Sequence, residues 1–179
     1  MKGVPVLDAD LEARQVLARA SPLLLQVRQG FGDSVCTPEG DLDRKALANL
    51  VFRDPQARER LNRITHPAII ARLKQGLDDI RREGKHKAAV VVAPLLFEAG
   101  LEKWCDRVIV VWASEREQVR RLMLRDNLSE QEARLRVRSQ APLDEKRKRA
   151  DWVVDSEAGQ GEIERQVENI WQEIVQAAA

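Results

Sequence analysis

The chain has 179 residues, 44% of them hydrophobic, a size and share that fit one domain with a sizeable buried core. Thirty Lys and Arg against twenty-nine Asp and Glu leave a formal charge of +1, which excludes a general pull toward nucleic acid or acidic membranes and makes any anion site a local one. Cys36 and Cys105 have no second Cys or His at metal-ligand spacing, and no apolar run approaches the roughly 18 residues of a membrane span. Without a zinc site, disulfide framework or signal-peptide pattern, the sequence predicts a cytoplasmic protein.

Four apolar runs read as strands: Val4 to Leu7, Ala88 to Phe97, Arg107 to Ala113 and Trp152 to Val154. Their near-continuous Val, Ile and Leu content suits strands covered on both faces, as in a parallel α/β sheet. Long helical connections between them agree with parallel crossovers. The stretch from about Ser21 to Lys87 is the longest of these, helical and free of convincing strand, and it predicts a substrate-covering insert within a single domain spanning 1–179.

Asp54 followed by Pro55 predicts a helix start, because proline has no amide hydrogen to leave unpaired at the first helical position. That helix is expected to run through Arg63, with Pro67 marking a boundary at His66. Ser114 with Glu117, and Ser129 with Glu132, match the capping-box pattern and start two more helices. A final helix presents Ile163, Val167, Ile170, Trp171 and Ile174 as one apolar stripe.

Several residues carry candidate chemistry. Asp8 and Asp10 stand where the first strand ends, the edge at which open α/β sheets bind ligands. Two positions apart on extended backbone they would share a side, one serving as a base and the other holding a hydroxyl or a metal's water. The competing reading is that one of them caps the next helix. Glu98 closes the apolar hook Pro94-Leu95-Leu96-Phe97-Glu98 after the second strand and is a candidate for the same cleft. Arg121 and Arg125 lie four apart on one helix face, where two guanidinium forks can meet a phosphate chain. Ion pairing along a solvated helix is the alternative for them and for Arg134, Arg136, Arg138, Arg147 and Arg149. An arginine-rich module over residues 116 to 149 that binds nucleic acid or a protein partner ranks last, because interleaved glutamates neutralise the patch.

The ordered set of segments resembles the dephospho-coenzyme A kinase family, from Gly3 to about Asp155. It comprises Gly3-Val4-Pro5-Val6-Leu7-Asp8-Ala9-Asp10 with Ala13-Arg14, then Phe31-Gly32, Gly40-Asp41-Leu42-Asp43-Arg44 with Leu47, and Ile64-Thr65-His66-Pro67. Pro94 to Glu98, Arg121 to Asp126, Arg136 with Gln140, and Ala150-Asp151 complete it. The resemblance implies a three-layer P-loop kinase-like α/β fold with a parallel sheet, a helical insert over about 21–87 and a helical lid over about 114–142. It implies transfer of the ATP γ-phosphate to the ribose 3′-hydroxyl of dephospho-coenzyme A, with ATP and Mg2+ as co-substrate and ion. Asp10 would then be the catalytic base, with Asp8, Arg14, His66 and Glu98 on the acceptor. Arg121, Arg125 and Arg136 would be lid residues on the ATP phosphates, and no residue of the chain is assigned as a metal ligand.

Such a kinase carries a G-x-x-x-x-G-K-[ST] loop. The sequence has no such motif, and Gly3 is the only glycine before Asp8. The resemblance thus implies that the first, central strand and its loop are absent from these residues. The alternative to a working kinase is a shortened, inactive protein that retains only the acceptor site.

Overall fold

The computed structural model describes residues 3–177. The chain divides into two compact units, Met1–Pro94 and Leu95–Ala179.

In the first unit, strand β1 (Val6–Asp8) leads directly into helix α1 (Ala9–Val16), followed by α2 (Pro22–Phe31), α3 (Arg44–Arg53), α4 (Pro55–Glu83) and β2 (Val90–Val92). β1 and β2 pair in parallel with Val6 opposite Val90 and Asp8 opposite Val92. The helices start where short polar side chains accept first-turn amides: Ser21 caps α2, Asp43 caps α3, and Asp54 takes the Gln56 amide at 2.8 Å ahead of Pro55. Leu17, Val27, Val35, Leu47, Val51 and Ala57 form a core inside this helical stretch.

Helix α4 differs from the sequence expectation. It does not stop near Arg63 but runs unbroken for 29 residues with Pro67 inside it. An interior proline lacks the N–H that would bond the carbonyl four residues back and costs about 3 kcal/mol in isolation. Contacts of α4 with α1, α2, α3 and β1 override that local penalty, and the buried Thr65 hydroxyl donates to the Leu61 carbonyl at 2.9 Å. His66 therefore sits within a helix and not at a junction.

Gly76 of α4 lies against β1 so closely that a Cβ there would stand 2.8 Å from Leu7 Cδ2, whereas one at Gly30 of α2 would meet only ordinary contacts at 3.6 and 3.7 Å. Gly76→Val is expected to lower stability by about 1–3 kcal/mol through overpacking. Gly30→Ala should raise it by up to about 1 kcal/mol, the helix-propensity difference. Urea denaturation of the two variants checks the opposite signs.

In the second unit β3 (Ile109–Trp112) and β4 (Trp152–Asp155) pair in parallel, Ile109 opposite Trp152. Between them lie α5 (Glu115–Asp126), α6 (Glu130–Arg138) and α7 (Leu143–Arg147), and α8 (Gln160–Ala177) follows. Ile170 of the expected apolar stripe is buried, while Val167 is exposed. Ser129 makes the full capping box with Glu132. Ser114 accepts the Glu117 amide, but its own amide donates to Glu157 at 2.5 Å, since Glu117 is engaged by arginines.

The second apolar run yields only a three-residue strand. Pro94 cannot donate to a ladder, and the chain turns at once: the Ala99 amide bonds the Leu95 carbonyl, the Leu101 amide bonds that of Leu96, and Gly100 takes a left-handed φ of 66°. All four predicted strands form and all pair in parallel, as two separate two-stranded sheets.

Candidate active site

The first unit carries the acceptor-side candidates. β1 ends at Asp8, whose Oδ1 accepts the amides of Asp10 and Leu11 at 2.8 and 3.3 Å. Asp8 is thus the N-cap of α1, with extended φ and ψ of −107° and 115°. The expectation that Asp8 and Asp10 share one side of an extended strand fails, because the helix begins between them. Asp10 lies in the first turn of α1, and its exposed carboxylate has no hydrogen bond or ion pair among the described residues. A negative charge there is favoured by the helix N-terminus. Arg14 follows four positions later on the same helical face and is also exposed. Its backbone carbonyl accepts from Arg44 at 3.5 Å.

The other side of α1 is fastened to α4. Arg72 donates through Nε to Glu12 and through Nη2 to Gln15, one fork serving two side chains of the same helix. His66 is half-buried on α4, and burial pushes its pKa below the ordinary 6.5. At neutral pH it is an uncharged imidazole.

The second unit carries Glu98 and the arginines. Glu98 Oε1 receives the Lys146 ammonium at 2.8 Å and the Ala141 amide at 3.0 Å. Burial opposes its ionisation, but the bonds from Lys146, from Ala141 and from its own amide outweigh that and hold the carboxyl below the ordinary 4.5. Lys146 is only 5% exposed. The Ala141 bond pins the segment that leaves α6, so Glu98 braces the end of the α5–α6 hairpin. Nearby, Arg149 stacks 4.4 Å from the Phe97 ring centre and pairs with Glu102 at 2.7 Å.

The arginines are engaged by protein groups. Arg121 donates to Glu117 at 2.8 Å, to the Ser156 hydroxyl at 2.8 Å and to the Ser156 carbonyl at 2.7 Å, tying α5 to the residue after β4. The Glu117 carboxyl is held down to about 2 by hydrogen bonds from Arg120 and Arg121. Arg125 makes a two-pronged contact with Asp126 at 2.8 and 3.0 Å, and Arg136 reaches the same carboxylate at 2.7 Å from α6. The Asp126 carboxyl is lowered, first by the Arg125 hydrogen bond. Arg121 and Arg125 share a helix face, yet their guanidinium groups grip different partners.

The sequence reading gave no role to Lys146 or Arg72 and none to Asp126 beyond its place in the Arg121 to Asp126 stretch. Charge alternation hides their pairings, and only the fold shows which carboxylate each cation meets. Among the described residues no three His, Cys, Asp or Glu side chains converge as a metal cage, and no helix is long and apolar enough to cross a membrane.

Comparison with known proteins agrees with this architecture. A family model described as dephospho-CoA kinase matches residues 1–162. The dephospho-CoA kinase of Anaeromyxobacter dehalogenans is 45% identical over 155 residues, covering 87% of this chain and 73% of that protein. Among solved structures, a protein from Thermus thermophilus superposes with a TM-score of 0.75 at 37% identity, covering 96% of this chain and 85% of its own. A dephospho-CoA kinase from Campylobacter jejuni does so at 0.68 and 28%, covering 99% and 88%. The chain belongs to the dephospho-CoA kinase family, the phosphotransferases of the last step of coenzyme A synthesis.

Proposed function

We propose that the β1–α1 corner holds the ribose of dephospho-coenzyme A with Asp10 as the base for its 3′-hydroxyl. As the hydroxyl oxygen bonds to the γ-phosphorus of ATP, its proton passes to the Asp10 carboxylate, the bond from phosphorus to the bridging oxygen breaks, and ADP leaves. The observation that carries this reading is the contrast between the two carboxylates. Asp8 Oδ1 is engaged by the helix cap, whereas Asp10 is exposed and has no partner among the described residues, which leaves its carboxylate open to a substrate proton.

Arg14 on the same face is suited to the acceptor's phosphate groups, Asp8 sets the direction of α1, and neutral His66 belongs to the helical cover of the pantetheine arm. Glu98, with Oε1 engaged, keeps Oε2 for a ligand. Arg121, Arg125 and Arg136 of the α5–α6 hairpin are assigned as counter-charges for ATP phosphates, where charge spreads in the transition state, exchanging their carboxylate partners for phosphate. Mg2+ in this reaction class is held by nucleotide phosphates, waters and one or two carboxylates, and neutralises developing charge. Asp10 has the chemistry to hold one of those waters. Two unpaired cysteines suit a reducing, cytoplasmic setting.

The test is steady-state kinetics on protein expressed from the gene with whatever in-frame codons precede Met1. Asp10→Asn should lower kcat about 10²–10⁴-fold, the usual worth of a general base, with little change in dephospho-coenzyme A affinity. Asp8→Asn should act mainly through α1 stability. Full kcat in Asp10→Asn removes the assignment.

A further inference from the structure

The β1–α1 corner is held from one side by two residues of α4 a single turn apart. Gly76 lies so close to Leu7 of β1 that a Cβ there would stand 2.8 Å from its Cδ2 and force that side chain to shift. Arg72, four positions earlier and so on the same face, grips Glu12 and Gln15 of α1. One point fixes the strand before Asp8 and the other fixes the helix after it.

We propose that Arg72 is a positioning residue for the acceptor site: its fork fixes the rotation and pitch of α1, and with them the directions of Asp10 and Arg14. This inference rests on the reading of α1 as the acceptor-binding helix. Three features favour a positioning role over a casual surface pair. Arg72 makes two bonds to two different side chains three positions apart, so α1 cannot roll without breaking one. The Glu12 side chain is only 16% exposed, much less than a solvated surface acid. α1 is only eight residues long, too short to hold its shape in water without tertiary support. The planar guanidinium supplies two parallel donors, which an ammonium cannot reproduce.

The experiment is calorimetric titration of dephospho-coenzyme A into residues 1–179 bearing Arg72→Met, Arg72→Lys, Arg14→Ala or Leu61→Ala. Leu61 packs on the helical core, which meets α1 only at its far end through Val16 and Leu17, and gives a variant destabilised away from the Arg72 fork. Arg72→Met is expected to weaken binding about tenfold or more. Arg72→Lys, which keeps the charge but loses the fork, should fall between it and the unaltered protein. Leu61→Ala should bind normally despite a comparable loss in melting temperature. Should Arg72→Met bind like the unaltered chain, or lose no more affinity than Leu61→Ala, the positioning role is overturned, even where Arg14→Ala weakens binding and so upholds the acceptor reading. Normal binding by Arg14→Ala, or no binding by the unaltered chain, overturns the acceptor reading and this inference with it.

Discussion

Residues 1–179 as a purified polypeptide, given saturating ATP and Mg2+, are expected to phosphorylate dephospho-coenzyme A far more slowly than about 1 per second, the low end of kinase rates. The reason lies in the donor side of the reaction. Phosphoryl transfer needs little covalent help from a protein; its catalysis is positioning and electrostatic stabilisation of the transferred group. Backbone amides and a lysine of the G-x-x-x-x-G-K-[ST] loop supply much of that in P-loop enzymes, and no such motif occurs in the sequence. Arg121 and Arg125 are bonded to Glu117, Ser156 and Asp126, so they reach ATP phosphates only by exchanging those partners and are not expected to make up for the loop. A coupled assay for ADP release decides the matter, and turnover at or above about 1 per second refutes the expectation. The same assay on the product of the gene with its preceding in-frame codons shows whether a donor loop restores the rate.

Replacing Lys146 should destabilise the second unit severely. The residue is 5% exposed, and its ammonium lies 2.8 Å from Glu98, whose side chain is 27% exposed. Removing one partner of a buried pair leaves the other charge uncompensated at a cost of about 3–5 kcal/mol. Because Glu98 keeps some solvent and the Ala141 amide, Lys146→Met belongs at the low end, about 3 kcal/mol, or roughly 6–12 °C in Tm for a chain of this length. The pH dependence gives an independent check. The folded Glu98 carboxyl titrates below the ordinary 4.5, so its contribution is fully present above that value and is lost as pH falls through the folded one. Stability of the unaltered protein should therefore drop below pH 4.5, and Lys146→Met should flatten that drop. Thermal melts at neutral and acid pH measure both effects, and an unchanged melting temperature at neutral pH counts against the pair.

What could be read from the sequence was local. Apolar runs announced four parallel strands, and Ser129, Asp54 and Pro55 announced helix starts, because both signals act over a few residues. What could not be read depended on distant partners. Nothing around Pro67 tells that α4 continues through it; that follows from helices packed along its length. The strand ending at Asp8 and not two residues later is decided by a cap bond, which separates the roles of Asp8 and Asp10. Likewise nothing local shows that Glu98 and Arg72 meet Lys146 and Glu12, 48 and 60 positions away.

The parallel pairing of β1 with β2 has a further consequence for assembly. Val6 and Val90 are about eighty positions apart in the chain, so their meeting closes a long loop whose entropy grows only slowly with length. The helices α2 to α4 fill that loop and pack around a core they share with the end of α1, so packed helices and not open coil span the distance between the two strands. Contacts distant in sequence are the slow ones in folding. The corner bearing Asp10 therefore gains its contacts with Gly76 and Arg72 only once α4, far along the chain from it, has packed against it.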